Sequence, residues 1–253
     1  MSDPAIIVDN GERQAIEYSG QPWKRREVIG DAVLYLGDAR EIVPTIDPVP
    51  VIATDPPYGM SFRSNRPKVR PKAHAIANDD NEDALRWVCD LPVSHSKYVF
   101  CRWDNIASVP RPKSLITWVK NNHSMGDLTG EHARQTEVAL FYPGPAHFFP
   151  GQRPADVIRA PRTDNADHPT QKPVALMGEV LRWTSGAVLD PFMGSGSTGV
   201  ACVQLGRHFV GIEIDPVYFQ TACKRIAEAY RQPRLFEEPA PKPVQTDIFG
   251  GAA

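Results

Sequence analysis

Short apolar runs rich in β-branched and aromatic residues alternate, along most of this 253-residue chain, with helix-length stretches whose apolar residues recur at three and four. A chain patterned this way is best satisfied by a parallel sheet covered on both faces by helices. The runs are Ala32–Leu36, Val49–Thr54, Lys97–Trp103, Leu115–Lys120, Glu137–Tyr142, Ala187–Asp190 and His208–Glu213. The helical stretches are Ala39–Ile46, Asn81–Cys89, Pro173–Thr184, Thr198–Leu205 and Pro216–Tyr230. An α/β, doubly wound, mostly parallel sheet of Rossmann-like type is therefore expected. Proline supports this, because 25 prolines are too many for a long helical bundle, where each would remove a donor and clash with the preceding turn. Ser61–Asp80, polar and basic, and Pro143–Asp167, rich in proline and arginine, fit neither period and read as long surface loops or a small inserted subdomain.

Charge and cysteine usage narrow the function classes. Twenty-eight basic against thirty acidic side chains give a net charge of −2, so any anion-binding surface must be local. The four cysteines, Cys89, Cys101, Cys202 and Cys223, form no C-x-x-C pair, which argues for reduced thiols and against zinc or a disulfide framework. No metal is expected. The N-terminus has no basic stretch followed by an apolar run, and no eighteen consecutive residues are apolar, so neither secretion nor membrane spanning is supported. A cytoplasmic protein is expected.

Two segments carry the chemistry. In the first, the strand Val188-Leu189-Asp190 runs into Pro191-Phe192-Met193-Gly194-Ser195-Gly196-Ser197-Thr198 and then a helix. Glycine permits close backbone approach of a ligand, and the helix start offers free N–H groups. Nineteen residues past Gly194, the next strand ends at Glu213, near the spacing at which a carboxylate grips ribose hydroxyls. No Gly-Lys-Ser/Thr follows, so this is not a phosphate-binding P-loop. By itself the pattern implies an adenosine-containing ligand.

In the second, the buried-type strand Val51-Ile52-Ala53-Thr54 stops at Asp55-Pro56-Pro57-Tyr58-Gly59. Prolines cannot donate hydrogen bonds and hold the backbone rigid, leaving carbonyls free to accept. An amino group with two hydrogens could then be held by the Asp55 carboxylate and the Pro56 carbonyl while Tyr58 stacks on the ring that carries it. Such a pocket suits the exocyclic amine of a base, and ligands bind at this end of strands in open α/β sheets.

Asp-Pro-Pro-Tyr at 55–58, His-Pro-Thr-Gln-Lys-Pro at 168–173 and Asp-Pro-Phe-Met-Gly-Ser-Gly at 190–196 resemble, in this order, the motifs of the S-adenosylmethionine-dependent amino-group DNA methyltransferases. The target-amine motif precedes the cofactor motif, which is similar to the circularly permuted β group of that family, and the resemblance covers about residues 31–230. It implies a methyltransferase domain over 31–230 after an extension over 1–30, with a DNA-contacting loop at 61–80 and a target-recognition insert at 121–167, while the tail at 231–253, with Pro233, Pro239, Pro241 and Pro243, is expected to be disordered on its composition. Because the chain ends soon after the helix following Glu213, the strand beyond Glu213 must come from the N-terminal side, and Ala32–Leu36 fits.

The resemblance implies S-adenosylmethionine as cofactor and S-adenosylhomocysteine as product. It assigns catalysis to Asp55, Pro56, Pro57 and Tyr58. Cofactor contacts fall to Asp55, Asp190, Pro191, Phe192, Gly194, Ser195, Gly196, Ser197, Thr198, Glu213 and Ile214, with Thr170 and Lys172 closing the methionine end. Thr170 would equally cap the helix at Pro173, and Asp38 fits either an adenine contact or the N-cap of the helix that follows it.

No cysteine follows a proline, so the thiolate mechanism of cytosine C5 methylation does not apply. Transfer to an exocyclic nitrogen needs no covalent intermediate, but the base must be flipped from the duplex. Within the family an initial Asp is associated more with N6-adenine than with N4-cytosine, so adenine is the expected target and cytosine the alternative. Arg63, Arg66, Lys68, Arg70 and Lys72 place five cations in ten residues for phosphate contact, unless the loop is merely solvated. Arg134, Arg153, Arg159 and Arg162 are candidates for base readout. Double-stranded DNA is the expected partner, with a homodimer as a further one. Gln232–Phe236 and Gln245–Phe249 resemble peptides that bind bacterial sliding clamps, the plainer reading being a sticky linker. A protein glutamine methylase shares an Asn-Pro-Pro-Tyr-like loop but not this motif order, and an inactive DNA-binding module would not need Asp55, Tyr58, Gly194 and Glu213 together.

Overall fold

The computed structural model describes residues 5–9, 12–16, 20–57, 82–122, 132–149, 152–162 and 171–232, the first two stretches by their backbone. In chain order the elements are β1 (Ala5–Asp9), β2 (Glu12–Ile16), β3 (Trp23–Ile29), β4 (Ala32–Gly37), α1 (Ala39–Ile42), β5 (Val51–Thr54), α2 (Asp83–Asp90), β6 (Ser96–Cys101) and β7 (Ser114–Val119). They continue with β8 (Thr136–Pro143), β9 (Val157–Arg159), α3 (Val174–Leu181), β10 (Val188–Asp190), α4 (Ser197–Gln204), β11 (Phe209–Glu213) and α5 (Pro216–Arg231). β1 and β2 form an antiparallel pair; the other nine strands form one mixed sheet in the order β3-β4-β11-β10-β5-β6-β8-β7-β9.

The central strands β4, β11, β10, β5 and β6 are mutually parallel, and β5 and β6 are buried along their whole length. Strands buried on both faces carry no polar alternation, which is why they read as continuous apolar runs in the sequence. Successive residues still point to opposite faces. Val51 and Ala53 pack with Leu176, Val200, Phe219 and Ile226 of α3, α4 and α5, while Ile52 packs with Ile42, Leu85 and Val88 of α1 and α2. Helices on both faces make the sheet doubly wound. The helix after β10 lies on one face and the helix after β5 on the other, so the chain leaves the carboxyl ends of these adjacent strands in opposite directions and opens a crevice there. Asp190 and Asp55 stand at its two sides, with Glu213 and Asp38 at the same edge of the sheet, since Glu213 is level with Leu36 in the register of β11 and β4.

The structure differs from the sequence expectation in three places. The main sheet begins at Trp23, within the expected extension, because β3 pairs antiparallel with β4. Its Lys24, Arg25, Arg26 and Glu27 hide a strand pattern, as suits an edge strand that must not pair with another chain. The helix expected over Ala39–Ile46 is α-helical only to Ile42 and turns 3₁₀ over Val43–Thr45, because Pro44 has no N–H to continue the α ladder. The Pro143–Asp167 stretch contains β9, a three-residue strand parallel to β7 and too short to show a period. Among the described residues, no helix is long and apolar enough to cross a membrane, and all four cysteines are buried and free.

Candidate active site

The crevice is built around Asp190. Its carboxylate is buried and accepts from Thr54 Oγ1 (2.6 Å), Thr198 Oγ1 (2.6 Å) and the Phe192 backbone N–H (3.1 Å). Asp190 thus ties the end of β5, the turn after β10 and the first residues of α4 into one unit. Burial pushes its carboxyl up to about 6, against the pull of the two hydroxyls and the backbone donor. The turn itself requires glycine: Gly194 and Gly196 have φ of 51° and 83°, the left-handed region that side chains disfavour. Ser195 and Ser197 are held from outside by Arg225 of α5, whose guanidinium donates to the Ser195 carbonyl at 2.6 Å, Ser195 Oγ at 2.9 Å and Ser197 Oγ at 3.5 Å. Pro191 and Phe192 complete the turn, Phe192 set edge-on against Trp87 at 5.9 Å.

Glu213 closes the end of β11. Its carboxylate accepts from the Gly194 N–H at 2.9 Å and the Asp215 N–H at 2.8 Å, which fixes it against the glycine turn. Burial pushes its carboxyl up to about 7 despite these donors. Ile214 follows it, half-buried, and Asp215 caps α5 by accepting from the Val217 and Tyr218 N–H groups. Asp38, at the end of β4, caps α1 by accepting from the Arg40 N–H at 2.8 Å. The cap contact is thus made, at the same edge of the sheet as Glu213.

Across the crevice, Asp55 directly follows β5, with Pro56 buried and Pro57 half-buried after it. Asp55 Oδ2 accepts from Lys172 Nζ at 2.5 Å, while Oδ1 is buried and accepts from none of the described residues. Burial is the largest influence on this carboxyl, and with Glu137 nearby it outweighs Lys172, so the group sits at about 6. Lys172, which the motif resemblance assigns to the cofactor, is thus placed on the candidate catalytic acid. Tyr58, Thr170, Arg63, Arg66, Lys68, Arg70 and Lys72 lie outside the described residues, as does the tail beyond 232 with most of both clamp-like peptides. Arg134 precedes β8 at the edge that carries Asp55. Arg159 ends β9 at that same edge, with Arg162 just beyond, whereas Arg153 is exposed before the amino end of β9.

Thr54, Lys120, Glu137 and Arg225 join the site without being expected there from the sequence. Thr54 looked like one more β-branched strand residue. Glu137 carried a signal, a lone acid at the start of an apolar run. Lys120 and Arg225 carried none, because what gives them a role is convergence from distant segments.

A profile of the N6/N4 DNA methylase family, described as DNA methylase, matches residues 151–224. YubD of Escherichia coli (strain K12), a protein named as a methylase, is 29% identical over 215 residues, covering 77% of this chain and 90% of YubD. The crystal structure of the M1.HpyAVI–SAM complex is 30% identical, covers 76% of this chain and 98% of that one, and superimposes with a TM-score of 0.58. PvuII DNA methyltransferase, named as cytosine-N4-specific, is 12% identical with a TM-score of 0.58 and coverage of 81% and 93%, which shows the shared fold. With Asp55, Lys172 and Asp190, one from each of the three motifs, at the carboxyl edge of a doubly wound sheet and these relatives spanning most of its length, the chain belongs to the N6/N4 amino-group DNA methyltransferase family.

Proposed function

We propose that this protein transfers a methyl group from S-adenosylmethionine to the N6 amine of an adenine flipped out of duplex DNA. The observation that carries the reading is Asp55 Oδ1, a buried carboxylate oxygen at the mouth of the crevice without a donor among the described residues. Buried acceptors are nearly always satisfied, so this one suits a donor brought by a ligand. An exocyclic amine brings two, one for Oδ1 and one for the Pro56 carbonyl, and accepting them turns the nitrogen lone pair toward the glycine turn.

The residues fit the cofactor. The left-handed Gly194 and Gly196 leave the turn backbone open to close approach, and the half-buried Glu213 presents a carboxylate for vicinal hydroxyls. When bound, S-adenosylmethionine supplies a methyl group on a sulfonium, and Asp55, held near 6, can accept the proton that the methylated nitrogen must lose. Chain order supports the β-group permutation, since β5 precedes β10 and the N-terminal β4 lies beside β11.

An initial Asp at 55 favours adenine over cytosine. Incubation with tritiated S-adenosylmethionine and unmethylated duplex DNA, followed by nucleoside analysis, tests this: label in N6-methyldeoxyadenosine is expected. Label in N4-methyldeoxycytidine would reassign the base, and label only in protein would overturn the reading.

Cofactor affinity should depend on pH through Glu213. If ribose hydroxyls bind its ionised form, a carboxyl at about 7 is mostly competent at pH 8 and about one-tenth competent at pH 6. Calorimetric titration should then show S-adenosylmethionine binding roughly tenfold weaker at pH 6 than at pH 8. Glu213→Gln should bind weakly with no such slope, and an unchanged slope would remove Glu213 from the site.

A further inference from the structure

Behind Asp55 lies a line of four alternating charges contributed by four separate segments. Lys120 follows β7, Glu137 is the second residue of β8, Lys172 precedes α3 and Asp55 follows β5. Lys120 Nζ donates to Glu137 Oε1 at 2.5 Å, and Lys172 Nζ lies 3.2 Å from Glu137 Oε2 and 2.5 Å from Asp55 Oδ2. The two lysines are almost fully buried, with side-chain exposures of 9% and 7%. Each ammonium also stands over an aromatic face, Lys120 over Trp118 at 5.0 Å and Lys172 over Phe100 at 5.4 Å, so neither can swing away without losing that contact.

A flexible lysine bonded to one carboxylate would be free to follow it. A lysine bridging two carboxylates, the farther one itself anchored by a second lysine, is fixed. We infer that Glu137 is a positioning residue: it holds the Lys172 ammonium so that this cation occupies Asp55 Oδ2 and leaves Oδ1 as the acceptor for the target amine. This deepens the proposed function and rests on it for the identity of that amine. Glu137 also tempers Lys172. An ammonium shared between two carboxylates withdraws less charge from Asp55, which stays a better acceptor than it would in an isolated pair. The opposed positions of the two acids agree with this, since burial raises Asp55, whereas at Glu137 the same effect is outweighed by Lys172 and Lys120, which hold it at about 2. Facing Asp55 are Lys172 from the segment before α3, Glu137 from β8, Lys120 from the end of β7, Asp190 from β10 and Cys101 from β6.

Titration of the Asp55 carboxyl by ¹³C NMR in the ligand-free full-length protein, together with pH profiles of methyl transfer, tests the inference. Glu137→Gln removes a negative charge beside Asp55 and commits Lys172 to it, so the Asp55 titration and the acid limb of kcat should move to lower pH. At pH 7.5 kcat should fall about 10- to 100-fold, with KM for S-adenosylmethionine and for DNA within about threefold. Glu137→Asp should recover part of kcat. Lys120→Met should move both titrations the opposite way, because Glu137 then draws Lys172 from Asp55. A folded Glu137→Gln protein whose Asp55 titration and acid limb stay at the wild-type position overturns the inference. If Glu137→Gln does not fold, Lys120→Met decides: an upward shift supports the network and no shift overturns it. Because the NMR titration needs no substrate, wild-type protein that methylates neither base, yet shows these shifts across the variants, would refute the proposed function and leave the network standing.

Discussion

Asp55→Ala is expected to reduce methyl transfer at least about 10²- to 10³-fold, the scale on which loss of one well-placed polar partner slows an enzyme, while S-adenosylmethionine binding stays within a few-fold. The reason lies in which contacts vanish. The variant loses a buried carboxylate oxygen of the crevice that has no donor among the described residues, whereas the Gly194 turn and Glu213 keep their mutual bond and the cofactor side of the crevice stays built. The fold should tolerate the change, because Lys172 keeps Glu137 as a partner at 3.2 Å and is not left as an isolated buried charge. Asp55→Asn is the sharper variant. It keeps the volume, but its neutral amide oxygen is a weaker acceptor and its amino group would repel both the target amine and Lys172, so it should lose nearly as much activity as alanine. Rates from single-turnover transfer and affinities from calorimetry separate the two effects. Transfer by Asp55→Ala within about fivefold of wild type would show that the amine is held elsewhere.

The elements legible in the sequence were those whose identity is local. β5, β6, β10 and β11 are buried parallel strands, so their apolar runs announce them, and Asp190 and Asp55 stand out because a charge ends each of two such runs. β3 was illegible because an edge strand needs charge, and charge is what a strand pattern lacks. The site was half legible for a similar reason. Gly194, Gly196 and Glu213 form a pattern along the chain, whereas the Lys120-Glu137-Lys172 line draws on three segments whose meeting depends on β8 running antiparallel, which brings its first residues to the edge where β5 ends. Lys172 shows how a motif can point to a place without giving the contact made there: the resemblance puts it at the crevice, and only the structure puts it on Asp55.

Asp190→Ala is expected to have the larger effect on stability, about 2–4 kcal/mol by urea denaturation, because it orphans the Thr54 and Thr198 hydroxyls and the Phe192 N–H in a buried site while opening a small cavity. Asp190→Asn should lose less, since the amide oxygen can still accept from one hydroxyl and from the backbone. The pH dependence distinguishes this account from simple loss of packing. The folded carboxyl sits at about 6 against 3.8 for the ordinary group, so between these values the folded protein holds a proton that the unfolded chain has released. Stability contributed by Asp190 therefore rises as pH falls from about 6 toward 4 and is lost as pH rises back through that window. The gap between wild type and Asp190→Ala should accordingly widen on acidification, in a window where Glu213, present in both proteins, cancels from the difference. A gap that narrows below pH 6 would mean that the carboxylate, not the carboxylic acid, is the form the folded site prefers, and that the hydrogen bonds from Thr54 and Thr198 outweigh its burial. Cofactor binding should fail in Asp190→Ala even where the protein remains folded, because the bonds that Asp190 accepts are what register the Gly194 turn against the end of β5.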